Sequence, residues 1–343
     1  MTDSVLTDRE PDVAGERSAE VTPPPTEPPA RDIAWDRVAR AVGLGAYAGA
    51  LFASIRVWGV PLARETVLAW VMGGLVVASI GRPKGGLWRV VRDWLPFGAV
   101  LVVYDLTRGV ANDLGTPVHY RPQIEADKVI GFGDVPTVWL QRHVYDFFRV
   151  QWWELALSIL YVSHFVVPFV VAAWLWLRDR DRWAQYTRRF VTLSFMAAAT
   201  FVLYPAAPPW LAGHENEIPR VIRTASRGWE IIDLHTAKDI LELGWDTSNV
   251  VAAVPSLHAA WPLLVAWVLW PRAPWWFRSL MVLYVLSMGF MLVITGEHFV
   301  IDILIGWLYV AVCVLAWTRI ERWWRGRRER KPNSTADLAE TES

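Results

Sequence analysis

The chain has one cysteine, Cys313, and it lies inside an apolar run. A single thiol makes no internal disulfide and no zinc cluster, so cysteine usage excludes a disulfide framework and assigns no redox compartment. Net charge is also lacking: 34 Lys and Arg balance 34 Asp and Glu. Without a basic excess there is no electrostatic footprint for nucleic acid, and none is expected as a partner. Residues 1–34 have no apolar stretch of the kind a secretory signal requires. They are polar, acidic and proline-rich, with Thr22-Pro23-Pro24-Pro25 among them. Such a segment buries too little surface to fold, and a disordered cytoplasmic tail is expected there. No internal repeat is evident. The tight His-Glu-x-x-His spacing of a zinc site is missing as well, so neither metal nor cofactor is expected.

What the chain has in excess is apolar length. Hydrophobic residues make up 54% of its 343 positions, and 23 of them are Trp. Eight apolar runs follow one another, at roughly 40–60, 66–81, 94–111, 152–177, 190–206, 252–270, 277–295 and 298–318. A bilayer needs about 20 residues per helix, so several of these are short, and six spans plus two irregular segments is an alternative count. The fold class is therefore all-α, a polytopic membrane bundle of about 6–8 transmembrane helices. The membrane domain is expected over 35–318 with a catalytic core over about 95–318. Residues 319–343 read as a basic and then disordered cytoplasmic tail. Trp152-Trp153, Trp275-Trp276 and Trp323-Trp324 sit near span ends, as interfacial belts do.

Basic residues set the orientation. Arg82, Lys84, Arg89 and Arg92 follow the second run, and Arg178 to Arg189 follow the fourth. Arg272 and Arg278 follow the sixth, and Arg319 to Lys331 the last. Cytoplasmic segments carry such clusters, which puts both termini inside and suggests a plasma-membrane protein. Two long loops, about 112–151 and 207–251, then face outward, and loops of that length usually have work to do.

Two histidines border those outer regions, in Pro255-Ser256-Leu257-His258 and in Glu297-His298-Phe299-Val300-Ile301-Asp302. Ionisable residues at the end of a span are costly and mark chemistry or a pathway. His298 and Asp302 are four apart. On a helix that spacing stacks them on one face, so the carboxylate holds one imidazole nitrogen and leaves the other to react. His298 is the candidate nucleophile for phosphoryl transfer, Asp302 its orienting carboxylate and His258 the acid for the leaving oxygen. Ser256 is a candidate donor to a phosphate oxygen.

These motifs resemble a known family. Pro255-Ser256-Leu257-His258 is similar to the second motif of the type-2 phosphatidic acid phosphatase superfamily. Gly296-Glu297-His298 through Asp302 is similar to the His-x-x-x-Asp half of its third. Tyr204-Pro205-Ala206-Ala207-Pro208-Pro209-Trp210 resembles the bacterial branch grouped with fungal inositol-phosphorylceramide synthases. The resemblance implies a helical membrane fold, a phosphohistidine intermediate, and substrates that are lipid phosphates or phospholipids. It departs at two cations. Leu292 stands where the third motif places Arg, and Leu114 where the first motif places a Lys ahead of Arg121-Pro122. The loss favours transfer of a phosphorylated head group, such as phosphoinositol, over hydrolysis by a lipid phosphatase. Other cations must then meet the phosphate: Arg108 and Arg121 are the first candidates, with Lys128, Arg220, Arg223 and Arg227 behind them, and Tyr204 as a further substrate contact.

Plainer readings stand beside these. His298 with Asp302 is also what a structural pair between helices looks like. Asp105 with Arg108 reads equally as an ion pair within one span, and His164 as an interhelical hydrogen bond. A transporter or lipid scaffold would also carry ionisable groups at span ends, but it would show inverted repeats and polar groups near the midplane. Oligomeric state is not legible.

Overall fold

In a membrane every backbone polar group must be satisfied within its own segment, and the long apolar stretches accordingly form helices. The structure is a computed structural model that describes residues 30–58, 64–81, 86–110, 116–234, 238–239, 241–242 and 249–329. Three helices open the chain: α1 (Ala30–Trp58), α2 (Arg64–Ala78) and α3 (Gly86–Val110). Two short ones follow, α4 (Arg121–Ile130) and α5 (Pro136–Val144). Then come α6 (Trp152–Arg178), α7 (Arg180–Leu203) and the single-turn α8 (Pro209–His214). The chain ends in α9 (Leu257–Leu269), α10 (Trp275–Ile294) and α11 (Val300–Glu329). Among the described residues, four segments are long and apolar enough to cross a membrane: Trp35–Val57, Trp152–Arg178, Trp275–Ile294 and Val300–Arg327.

Helix α9 is the hub. It is apolar on every side, and such a helix belongs in an interior. Ala260, Trp261 and Leu264 are fully buried. Helices α6, α7, α10 and α11 surround it, while α2 and α3 pack outside α6 and α7, and α1 rests on α2. With 13 residues α9 is about 20 Å long, so it lies inside the bundle without having to span a bilayer by itself.

Two boundaries differ from the sequence expectation for one physical reason. Charged stretches expected to be connectors are helical because their charges find partners. Asp179 caps α7, accepting from Arg182 N at 3.1 Å, so α7 begins at Arg180, well before the apolar run at 190. Arg188 and Arg189 both bind Glu321 at 2.8 Å, and α11 continues through the basic stretch to Glu329. A third boundary, the start of α1 at Ala30, falls inside the segment expected to be a tail. Arg272 reaches Asp179 at 2.6 Å and Arg182 donates to the Val268 carbonyl. These basic residues thus gather at the helix ends opposite those that carry His258 and His298.

The two motif-bearing segments meet because α11 has a glycine where it crosses the start of α9. A Cβ on Gly306 would stand 2.5 Å from the Ser256 carbonyl oxygen. That close approach lets Ser256 N donate to the Asp302 carbonyl at 3.1 Å. Gly306→Val is expected to push α11 off α9, cost about 1–3 kcal/mol and lower the thermal unfolding temperature in detergent. An unchanged temperature would show that the two segments do not approach this closely.

Candidate active site

The site is built on the turn between α10 and α11. Helix α10 ends in a Schellman arrangement: Gly296 N donates to Val293 O at 3.2 Å, and Glu297 N to Leu292 O at 3.0 Å. Gly296 has φ +78, and a Cβ there would meet Val221 Cγ1 at 2.8 Å, so both conformation and space call for glycine. The turn is held from outside. Gln141, on α5, donates to the carbonyls of Ile294 at 3.0 Å and Ile222 at 2.7 Å, and its own oxygen accepts from Ile222 N at 2.9 Å. Trp210 N donates to Gly296 O, and Thr224 N to Thr295 O.

Helix α11 starts at Val300, so His298 lies in the turn just before it rather than in its first turn as the spacing suggested. The first N–H groups of a helix have no partner within it, and here they are satisfied by two carboxylates. Asp302 Oδ2 accepts from Phe299 N at 2.9 Å, the carboxylate half of a capping box. Asp127, on α4, takes the next two, Oδ2 from Val300 N and Oδ1 from Ile301 N, both at 3.0 Å. Both carboxylates are fully buried.

The same Asp302 Oδ2 lies 3.4 Å from His298 Nδ1, an ion-pair distance longer than an aligned hydrogen bond. On the other side of the ring, His298 Nε2 lies 3.3 Å from His258 Nδ1. The three residues singled out from the motifs are thus brought into one line: carboxylate, imidazole, imidazole. Behind His258, Tyr161 stacks on its ring at 5.4 Å and His164 lies 4.2 Å away, itself stacked on Trp261 at 4.6 Å. His164 is therefore at the site rather than simply inside α6.

Among the candidate cations whose side chains are described, Arg223 is the one fixed beside the histidines. Its Nε and Nη2 donate to the two carboxylate oxygens of Glu297, each at 2.8 Å, and Glu297 directly precedes His298. The guanidinium also hydrogen-bonds Tyr161 and lies over the Trp210 ring at 5.3 Å. Arg121 is exposed at the first residue of α4, and among the described residues no hydrogen bond joins it to the histidines. Arg227 is turned toward Asp146 O and Glu154. Arg108 is in α3, but its side chain lies outside the described residues, as does Leu114. Leu292 is buried in the apolar core behind the turn.

Ser256 caps α9, its Oγ accepting from Ala259 N at 3.3 Å; that local bond is a different use of the hydroxyl from the expected phosphate contact. Tyr204 closes α7 and stacks on His119 at 4.0 Å. Its neighbours explain the alanine-proline stretch after it. Ala206 N donates to Val251 O, Ala207 N to His119 O, and Ala253 N to Ala206 O, so three backbones run side by side and only small side chains fit. Sequence reasoning passed over His119, Asp127 and Gln141. Each belongs to a loop far away in sequence, and a lone polar residue in an outer loop carries no pattern that points to its partner.

The family model of the PAP2 superfamily matches residues 135–316, which include the turn, α9 and Arg223. Among characterised proteins, the phosphoinositol dihydroceramide synthase of Bacteroides thetaiotaomicron is 25% identical over 237 residues, covering 66% of this chain and 75% of that one. The inositol phosphorylceramide synthase catalytic subunit aur1 of Schizosaccharomyces pombe is 26% identical over 159 residues, covering 44% of this chain and 37% of that one. No solved structure matches the chain.

Burial pushes the Asp127 carboxyl from 3.8 up to about 6, against the two N–H bonds that draw it down. The folded chain therefore keeps a proton on Asp127 where the unfolded chain has lost it. Stability from this group is fully present below about 3.8 and is lost as pH rises through about 6. Asp127→Asn removes that dependence and keeps one carbonyl acceptor for the cap. The stability of the wild type relative to Asp127→Asn is expected to rise by about 2 kcal/mol as pH falls from about 6 to about 4. Thermal unfolding in detergent across that range checks it, and parallel pH profiles would show that Asp127 does not titrate there.

Proposed function

Because the chain belongs to the PAP2 superfamily and is a membrane enzyme of lipid-phosphate chemistry, we propose that it transfers a phosphorylated head group from a phospholipid to an alcohol through a phosphohistidine on His298. The observation that carries the reading is the line Asp302–His298–His258, with contacts of 3.4 and 3.3 Å. A carboxylate at Nδ1 fixes the proton on that nitrogen and leaves Nε2 with its lone pair. The imidazole-to-imidazole contact then has His258 Nδ1–H donating to His298 Nε2. The nucleophile is thus unprotonated and its partner carries the proton the leaving group needs, the division of labour that the reaction requires.

The steps balance as follows. His298 Nε2 attacks phosphorus, the bond to the lipid oxygen breaks, and His258, present as the imidazolium, gives that oxygen one of its two protons and is left neutral. The cation formed on the His298 ring is held by Asp302. In the second half His258 takes the proton of an acceptor hydroxyl, the hydroxyl oxygen attacks phosphorus, and the bond to His298 breaks. Arg223 supplies the guanidinium for the phosphate oxygens, steadied by Glu297, and charge placed in advance where charge develops lowers the barrier. The names of the two relatives favour phosphoinositol as the transferred group and a lipid hydroxyl as its acceptor. The basic residues gathered at the opposite end favour a cytoplasmic location for that end and both termini, with the site facing outward at the plasma membrane.

Purified wild type and His298→Ala, given phosphatidylinositol with and without an alcohol-bearing lipid, test this by mass spectrometry of the products. A new phosphodiester that needs both the acceptor and His298 is expected, with turnover in the variant down by at least about a thousandfold. Release of free phosphate or free phosphoinositol alone, whatever the acceptor, would make hydrolysis the reaction. Full turnover by His298→Ala would remove the histidine from the chemistry.

A further inference from the structure

Helices α4 and α5 form a hairpin with two unlike faces. One face is buried against the site: Gln123, Ile124 and Asp127 from α4, and Thr137, Val138 and Gln141 from α5. The opposite face is exposed and apolar. Val129 is 79% exposed, Trp139 48%, and Phe132, at the tip of the connecting turn, 99%. The turn is built to present that ring. Gly131 admits no side chain, since a Cβ would lie 2.1 Å from Asp134 O, and Gly133 has φ +110. Phe132 itself has φ +56, a left-handed conformation that costs a bulky residue energy and is worth explaining where it is found.

We propose that this face docks on the lipid surface beside the site, with Val129, Phe132 and Trp139 inserted among the upper acyl chains. The hairpin is at the right level: α4 packs against α11 where that helix starts, and α5 against α10 where that helix ends. Both are membrane-crossing helices, so the exposed face continues the boundary of their lipid-facing surface. Composition agrees. Arg142 and the Lys128–Glu125 pair, joined at 2.8 Å, flank the apolar residues, and Trp139 stacks on His143 at 4.5 Å, an apolar body with polar edges of the kind interfacial helices carry. The occupant is lipid. The hairpin's inner face grips the catalytic turn through Asp127 and Gln141, so lipid contact at Phe132 steadies the place where the head group must arrive. The docking itself does not depend on the histidine chemistry.

The test uses the full chain with the buried Cys313 replaced by alanine. Phe132→Cys, and separately Trp139→Cys, carries an environment-sensitive fluorophore in nanodiscs of phosphatidylcholine and phosphatidylglycerol. Emission is expected to be blue-shifted relative to water. Lipids with a nitroxide near the top of the acyl chain are expected to remove about half of it or more, while iodide in solution removes little. A probe at both positions that iodide quenches freely would overturn the proposal. So would a probe shielded from iodide but untouched by lipid nitroxide, because that pattern means a protein partner covers the face.

Discussion

The start of α11 is the constraint on which the site depends. A helix that begins inside protein at the edge of a membrane exposes N–H groups where little water can reach them, and each one left unsatisfied is costly. Asp302 and Asp127 answer that need with three bonds between 2.9 and 3.0 Å. Because Asp302 is already fixed by Phe299 N, its Oδ2 has one position relative to the His298 ring, and the ring has one orientation relative to His258. The backbone requirement of a helix end and the orientation of a nucleophile are met by the same atom. The arrangement also makes α4 part of the site, since two of those three N–H groups rely on Asp127, about 170 positions earlier in the chain.

A second layer holds the turn from the loop side. Gln141 fastens the end of α10 to the segment at Ile222, and that segment delivers Arg223 to Glu297. A buried carboxylate and guanidinium are each expensive alone and tolerable as a bidentate pair. Glu297 therefore fixes Arg223 at one place beside His298, something exposed loop arginines such as Arg121 lack. Trp210, bonded through its N–H to Gly296 and lying under the guanidinium, leaves Arg223 little freedom to turn away.

The sequence made the membrane helices and the two histidines legible because both carry local signals: long apolar runs, and short motifs whose residues act close to where they occur. His258 with His298 could be paired because both sit at span ends on one side. The boundaries of α7 and α11 were missed because hydropathy reads charge as loop, and only the partners Asp179 and Glu321 make those charged stretches helical. Arg223 stood behind Arg108 and Arg121 among the candidate cations for a similar reason. What sets it apart is Glu297, 74 positions away, and no spacing rule links them. Ser256 shows the opposite case. The motif marked its O–H as a donor to phosphate, and its place at the start of α9 adds a second use that the motif does not show, since its oxygen accepts from a backbone N–H as a cap.

Charge balance then bears on the substrate. Close to His298 and His258 the described residues place one guanidinium, Arg223, already matched by Glu297, and two further buried carboxyls, Asp302 and Asp127. Leucine occupies 292, where the superfamily pattern has arginine, and it is packed in the core where no cation could take its place without rearrangement. A phosphate monoester brings nearly two negative charges, which a site of this balance meets poorly, because repulsion from Asp302 and Glu297 acts in a low-dielectric surrounding. A phosphodiester brings one, which a site with a single guanidinium suits better.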